Sequence, residues 1–388
     1  MKIKVYLKNK RGVINFYMGK KKVVICTNIP SPYRVKFFNY LIDNYAQYNI
    51  TIIYSAIAEN DRGWHIDQLE IKNSINLKSK TLKIKGKLDN KYIHIPLNVI
   101  KELNRINPDV IVAAEYNPTC VLAYLWCRIN KKKFISWSDG TLSTEKNINI
   151  IQKIIRTTFC KNAQALIASS SKSKEAQLHY GAEEKNIFLS YLTVDIDEYL
   201  NKKIKYNNKN ILYVGNLSRR KGVDLLLKAM KNIDLDVVLN VVGDGPEKDN
   251  LFKLANQLHI TNKVNFLGMK SGKELLEIYQ QNDIFVIPSR EDCFGLVITE
   301  AMCNSLPVIS SKYADGAYDL IQDHINGFMV DPYDSRSFSK VIMEALNDTD
   351  TVEEMGIKAF EYIKKFSFKN VAVKYMKAIE YCCIGSNI

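Results

Sequence analysis

Short apolar runs alternate along the chain with stretches of helical spacing. KVVICTN (22–28), ITIIYS (50–55), DVIVAAE (109–115), KFISWSD (133–139) and ALIASS (165–170) are nearly continuous apolar runs of strand length. Such runs fit strands buried on both faces, as in a parallel sheet. Helical spacing covers 33–46 and PTCVLAYLWCRIN (118–130). NKKIKYNNKN (201–210) has no apolar period and reads as a linker. A second set of strands follows at 211–216, 237–245, 264–269, 283–289, 307–311 and 327–332, with helices at 223–230, 274–281 and 296–304. The pattern predicts βαβ units in two doubly wound α/β domains, 1–204 and 205–388. A last helical stretch, 351–382, is placed to return across the linker, its end from about 365 lying on the first domain. Ligands of such proteins sit at the carboxyl ends of the strands, between the two sheets.

Charge sharpens this picture more than composition does. Residues 1–207 carry 34 Lys and Arg against 17 Asp and Glu, whereas the remainder carries 21 against 24. The excess predicts a polyanionic partner for the first half: an anionic membrane surface, a phosphorylated acceptor or nucleic acid. Lys and Asn enrichment also reads as plain compositional bias. No aromatic-basic signature supports nucleic acid. No apolar run approaches the roughly 18–20 residues of a membrane span. The basic first twenty residues lack the apolar core of a signal peptide. The 8 cysteines show no CxxC spacing, so neither a zinc site nor a disulfide framework is expected, and the chain reads as cytosolic.

The candidate chemistry lies in the second half. In IPSREDCFGLVITEAMCNSLPVIS (287–310), a strand leads into a polar loop holding Glu291 and Asp292, and Gly295 opens a helix carrying Glu300. A glycine at a helix mouth admits a ligand to unsatisfied N–H groups, which suit a diphosphate. Glu300 lies about one and a half turns in, at 3.6 residues per turn, within reach of a ribose diol beside the phosphates. In YVGNLSRRKGVDLL (213–226), Arg219, Arg220 and Lys221 precede a helix, where the dipole disfavours cations unless a polyanion joins them. The same segments also read as plain strand–loop–helix units with solvated charges. In the first half, Pro30, Ser31, Pro32, Tyr33 and Arg34 follow the first strand and are placed to bind an acceptor, with Arg34 as a phosphate contact. Glu115 and Asp139, at other strand ends, are alternatives for orienting an acceptor hydroxyl. His65 and His94 are isolated and read as structural.

Together these segments resemble the retaining glycosyltransferase family 4 of GT-B fold. The carriers are G-x-L-x-x-x-K-G (Gly215 to Gly222), G-x-G-P (Gly243 to Pro246) and P-S-x-x-[ED]-x-F-G-x-x-x-x-E-A-M (Pro288 to Met302). IPSPYRVKFFNYL (29–41), WSDGTLSTEK (137–146) and VDIDEY (194–199) are similar, more loosely, to the family's bacterial polysaccharide and glycolipid members. The resemblance implies transfer of a hexosyl group from a nucleotide-diphosphate sugar, UDP rather than GDP, without a metal. The acceptor would be a saccharide or lipid-linked hydroxyl at the inner face of a membrane. It implies that Glu300 binds the ribose and Asp292 the transferred sugar. The backbone of Phe294, Gly295, Leu296 and Val297 would hold the diphosphate and sugar, Lys221 and Arg220 would neutralise the diphosphate, Gly215 and Asn216 would line the donor, and the loop after Gly268 would face the base. Three positions depart from the family pattern: Asp292 replaces a Glu (with Glu291 beside it), Ala114 and Glu115 stand where a His is usual, and Asn216 where an Arg is frequent. Other activities compatible with the fold are epimerisation of a nucleotide sugar and phosphorolysis; an inactive membrane-tethered binding protein is a third possibility.

Overall fold

The computed structural model describes residues 3–9, 12–59, 70–86, 88–89, 91–203, 206 and 210–384. The boundary expected at 204/205 and His65 lie outside the described residues. The strands in chain order are β1 (Ile3–Asn9), β2 (Gly12–Met18), β3 (Lys21–Thr27), β4 (Tyr48–Tyr54), β5 (Ser74–Asn76), β6 (Ser79–Ile84), β7 (Lys91–Pro96), β8 (Val110–Ala114), β9 (Lys133–Ser138), β10 (Ala165–Ala168) and β11 (Ile187–Leu189). They continue as β12 (Asn210–Val214), β13 (Val238–Val242), β14 (Val264–Gly268), β15 (Ile284–Ile287), β16 (Val308–Ser311) and β17 (Gly327–Val330).

Two parallel sheets dominate, as the apolar runs predict. The first has the order β11-β10-β9-β8-β3-β4-β5 and the second β14-β13-β12-β15-β16-β17. Helices cover both faces of each, so residues such as Val23, Ile25, Ile111 and Leu212 are fully buried. In both sheets the strand order reverses beside the first strand: between β3 and β8, and between β12 and β15. Those reversals open crevices at the carboxyl ends, where side chains from two loops converge.

Two antiparallel hairpins, β1-β2 and β6-β7, lie outside the predicted pattern. SKTLKI and KYIHIP interleave lysines with apolar residues and lack the continuous apolar run that marks the sheet strands. The linker is less loose than its polarity suggests. Lys203 is buried against Asp283 at 3.2 Å and donates to the Gln280 carbonyl at 3.1 Å, while the Tyr206 hydroxyl donates to the Ser305 carbonyl at 2.7 Å.

The expected last helix is two helices. Thr349–Ile363 packs on the second sheet's core through Val352, Met355, Ala359 and Ile363. A 3-10 turn at Lys364–Phe366 and an extended Ser367 end it. Phe368–Ile384 then lies on the first sheet, burying Val371, Ala372, Tyr375, Met376 and Ile379 against Val23, Ile25, Ile135 and Ile167. The Tyr375 ring meets Trp137 edge-on at 5.2 Å and Phe37 at 5.5 Å. Each large side chain so buried contributes roughly 1.5–3 kcal/mol, against about 0–1 kcal/mol for an exposed ion pair. Apolar docking of this helix therefore outweighs the polar contacts in tying the chain's end to its first half. Tyr375→Ala should lower stability by roughly 3–5 kcal/mol, as for other large buried aromatics. Denaturant unfolding checks this; a loss below about 1 kcal/mol would mean that the ring is not part of the core.

Candidate active site

The loop after β12 runs from Gly215 through a 3-10 turn at Arg219–Lys221 to Gly222, which starts the helix Val223–Met230. Gly222 has φ +73, and a Cβ there would stand 2.1 Å from the Pro288 carbonyl oxygen. Only glycine lets this loop touch the one after β15. The Arg290 N–H donates to the Arg220 carbonyl at 2.8 Å, and the Arg290 guanidinium grips Asp224 through two bonds of 2.7 and 2.6 Å. Locked in this way, the loops bring Lys221 and Arg220 to Asp292. The Lys221 ammonium hydrogen-bonds the Asp292 carboxylate, and Arg220 Nη1 stands 3.9 Å from Asp292 Oδ1. Burial pushes the Asp292 carboxyl up, but the two cations outweigh it and hold it below the usual carboxylate range. Arg220 also donates to Asp89 Oδ2 at 2.6 Å and to the Glu291 carbonyl at 3.1 Å.

Asp292 is fixed through its backbone: its N–H donates to the Tyr313 carbonyl at 3.0 Å, and its carbonyl accepts from the Asp315 N–H at 2.9 Å. Gly295, at φ +80, then opens the helix Leu296–Cys303, and no side chain caps it. The mouth of this helix, carrying a partial positive charge, shares a loop with Asp292. Glu300 lies on the same helix. Its Oε2 accepts from the Tyr279 hydroxyl at 2.9 Å. Burial pushes its carboxyl up to about 7, against the pull of Tyr279 and of Lys36 from the first half. The two carboxyls of this helix and its entry loop therefore differ: Asp292 is held ionised, while Glu300 titrates near neutrality. Gly215 and Asn216 close β12, where the Asn216 carbonyl accepts from the Tyr213 hydroxyl at 3.0 Å. Gly268 ends β14 with φ +70 and open space beside it.

The reversal in the first sheet gathers a different set. Arg34, on the helix Pro32–Asn44, donates through Nη1 to Glu115 Oε1 at 2.8 Å and to Thr27 Oγ1 at 2.8 Å, and through Nη2 to Asp139 Oδ2 at 3.4 Å. Its guanidinium lies 5.1 Å from the Trp137 ring centre and 5.9 Å from that of Tyr33. Glu115 follows β8 at φ +73, a conformation that costs of order 1–3 kcal/mol for a residue with a side chain. The Glu115 N–H donates to the Trp137 carbonyl at 2.7 Å, which helps to hold it there. Burial pushes the Glu115 carboxyl up and Arg34 pulls it down, with a net rise. Tyr33, Arg34, Glu115 and Asp139 all line one cavity of about 920 Å³. Arg34 is thus already paired with carboxylates. His94 does not line this cavity; it is buried behind it between Thr81 and Glu59, the second of which does.

The two reversals face each other. Thr141 and Ser143, after β9, hydrogen-bond Asp315; Cys293 lies 3.7 Å from Thr144; the Ser171 N–H donates to Asp319 at 2.8 Å. Tyr279, Asp89, Asp315 and Arg156, which stands 2.7 Å from Glu145, had no sequence signal as site residues. They come from elements with ordinary helix, hairpin or loop patterns, and only folding brings them near. WSDGTLSTEK did signal its segment, which bridges the halves. Among the described residues, no group of three His, Cys, Asp or Glu is placed to hold a metal ion. Gly222→Ala should destabilise the protein well beyond Gly268→Ala. The second meets open space and costs only the ~1–2 kcal/mol of a left-handed alanine, whereas the first adds overlap with the Pro288 carbonyl. Paired melting curves measure the difference; equal losses would contradict the loop contact.

Residues 195–362 match the family model of glycosyl transferases group 1. An uncharacterized glycosyltransferase of Methanocaldococcus jannaschii is 31% identical over 186 residues, 47% of this chain and 51% of the relative. The D-inositol 3-phosphate glycosyltransferase of Corynebacterium aurimucosum is 26% identical over 258 residues, 61% of this chain and 60% of that one. The chain thus spans about half the length of the curated relatives it matches. Over nearly the whole fold, Anabaena HepE, solved in complex with UDP and glucose, superposes with a TM-score of 0.74 at 19% identity, covering 93% of this chain and 99% of that one. The chain has the GT-B fold of two facing Rossmann-like halves, and its second half is similar to the glycosyl transferases of group 1.

Proposed function

We propose that this chain is a retaining glycosyltransferase that moves a hexosyl group from a nucleotide-diphosphate sugar, UDP rather than GDP, to a hydroxyl of a saccharide or lipid-linked acceptor. Its setting would be the building of cell-surface polysaccharide or glycolipid. The observation that carries this reading is the convergence of Lys221, Arg220 and the uncapped helix mouth at Gly295 beside Asp292, at the reversal of the second sheet. In HepE, UDP and glucose bind a chain of this fold.

On this reading residues 205–388 hold the donor and residues 1–204 the acceptor. The diphosphate displaces Asp292 and Asp89 from the two cations, freeing Asp292 for sugar hydroxyls. Glu300 accepts hydrogen bonds from the ribose diol, and the open backbone at Gly268 lies along the base. The bond from the anomeric carbon to the diphosphate breaks and one to the acceptor oxygen forms on the same face. The acceptor proton passes to the departing diphosphate. Lys221, Arg220 and the helix mouth stabilise the charge gathering there, with no metal required. Exposed Ile150, Ile151 and Ile154 share a helix with Lys153 and Lys161, a face suited to an anionic leaflet on the cytoplasmic side. Each cation near such a surface contributes about 1 kcal/mol.

Incubation with UDP- and GDP-sugars should release nucleoside diphosphate, unaffected by a chelator. Lys221→Ala should lower kcat by roughly 10²–10³-fold, and Glu300→Ala should abolish turnover; a Glu300→Ala protein with full turnover would overturn the assignment. Because the ionised Glu300 is the better acceptor and its carboxyl sits near 7, affinity for a UDP-sugar should rise as the pH climbs through about 7. A UDP-sugar's diphosphate does not itself titrate there. Glu300→Gln should flatten the profile. Flotation with phosphatidylglycerol vesicles should recover the wild type at low salt and far less of an Ile150→Ser, Ile151→Ser, Ile154→Ser triple variant. Equal recovery of both, or none of either, removes the membrane part of the reading.

A further inference from the structure

Asp315 is a buried carboxylate of the second half whose side chain is held from the first. It is 6% exposed and accepts hydrogen bonds from the hydroxyls of Thr141 and Ser143, in the turn after β9. A hydroxyl bonded to an ionised carboxylate makes a bond roughly twice as strong as a neutral one. The Lys172 ammonium, drawn first to Glu175, also feels the Asp315 charge. A little further along, Asp319 accepts from the Ser171 N–H at 2.8 Å, at the start of the helix Ser171–His179. The segment 315–319 is thus gripped at both ends by loops that follow β9 and β10, neighbours in the first sheet.

The Asp315 backbone carries that grip to Asp292. The Tyr313 carbonyl and the Asp315 N–H bracket Asp292 at 3.0 and 2.9 Å, a one-residue parallel bridge centred on Ala314. Gly316 closes on Phe294: a Cβ there would stand 2.2 Å from the Phe294 carbonyl oxygen, so the two backbones cannot slide past one another. Residues 313–316 therefore move with 292–294. The helix that follows is anchored separately, by Ile298, Ala301 and Met302 in the second half's core. Asp292, in the loop ahead of that helix, takes its backbone bonds from Tyr313 and Asp315.

The first-half end of the link is equally well built. Thr141 is 1% exposed. Its N–H donates to Thr144 Oγ1 at 3.1 Å, the Thr144 hydroxyl returns to the Thr141 carbonyl at 3.2 Å, and the Glu145 N–H donates to the same carbonyl at 2.9 Å. Thr144 Oγ1 also accepts from the Cys293 thiol at 3.7 Å. Ser138, Asp139, Gly140 and Glu145, on either side of the turn, line the cavity of about 920 Å³. One turn thus forms a wall of that cavity on one side and meets Asp315 and Cys293 on the other.

We infer that Asp315 is a positioning residue: held by Thr141 and Ser143, it fixes the Asp292 carboxylate against the wall of the first-half cavity while the two halves are in contact. The transferred sugar is thereby presented to that cavity. This rests on the proposed transfer reaction for the sugar, but not for the mechanical link. Lys221, Arg220 and Glu300 stand on other elements, so the link acts on the transfer step and leaves the hold on diphosphate and ribose in place.

The first arm of the test needs no substrate. Hydrogen exchange of the whole chain is followed by peptide mass spectrometry in the Thr141→Val, Ser143→Ala double variant. Exchange in the peptides holding the Asp292 and Asp315 amides should quicken at least about tenfold, as for the loss of one hydrogen bond to a charged group, with β13 unchanged. If the double variant does not fold, Thr141→Val alone should give at least about threefold. Thr141→Ser, which keeps the hydroxyl, should exchange as the wild type does. The second arm is turnover of UDP-glucose, UDP-galactose and UDP-N-acetylglucosamine, with water in place of the acceptor hydroxyl. For the sugar that the wild type turns over fastest, the double variant should lose about tenfold to a hundredfold in kcat. Its KM and the Kd for UDP should change less than about threefold, and Thr141→Ser should restore kcat. A merely structural role would instead lower kcat and UDP affinity together. The inference is overturned if exchange at Asp292 is unchanged or quickens equally over β13, if kcat is unchanged, if UDP affinity falls as far as kcat, or if Thr141→Ser behaves as the double variant does. A wild type that turns over none of these sugars counts against the transfer reading, and the exchange arm then decides the link by itself.

Discussion

At the reversal of the second sheet, two loops touch backbone to backbone, and the candidate site depends on that contact. Gly222 rests on the Pro288 carbonyl with no room for a Cβ, and Arg290 secures the junction by reaching back to Asp224 and the Arg220 carbonyl. Without this approach Lys221 and Arg220 would point from the mouth of a helix whose dipole disfavours them. With it they face Asp292, and the cations become a clamp whose present occupant is a carboxylate. On the proposed reading a diphosphate, a stronger counterion for two cations than a carboxylate, takes its place.

The same clamp ties the two halves together. Arg220 reaches Asp89 at the tip of the β6-β7 hairpin, and that hairpin supplies Ile84, Tyr92 and Ile93 to the cavity of the first half. A group that takes Arg220 from Asp89 therefore loosens a wall of the neighbouring cavity. Thr141, Ser143 and Thr144 meet Asp315 and Cys293 a short way off. These contacts are few and polar, each worth little beside the apolar docking of Phe368–Ile384. That ranking suits a molecule whose halves stay joined by the helix at one side while the polar contacts across the cleft can be exchanged.

Much of the architecture was legible because buried parallel strands need continuous apolar runs. β3, β8, β9, β12 and β15 each appear as such runs, and the carboxyl end of each carries a residue of interest. The hairpins were not legible, since Lys-rich edge strands resemble loops. The break at Lys364–Phe366 was not legible either: apolar spacing continues through it, and only the need to cover two separate cores splits the helix. At the site, Lys221, Asp292 and Glu300 stood out through their glycine neighbours, because a tight backbone approach leaves a glycine in the sequence. Tyr279 and Asp89 did not stand out. Their roles come from distance in space, at 21 and 131 residues from the groups they touch, and no local pattern carries that.

The two sheets use one topological device with opposite charge settlements. At β12 and β15 Lys221 and Arg220 share Asp292, and Arg220 also holds Asp89 from the first half. At β3 and β8 one guanidinium is divided between two carboxylates. In a cleft of low dielectric such differences decide what enters, because every unpaired charge there costs far more than in water. The half of the chain with the larger formal positive charge thus holds an arginine bound by two carboxylates, while the nearly neutral half sets two cations around one carboxylate of its own. Net charge counted along the sequence describes surfaces. The chemistry of each cleft is set by how the fold pairs its few charges, and in this chain the two run in opposite directions.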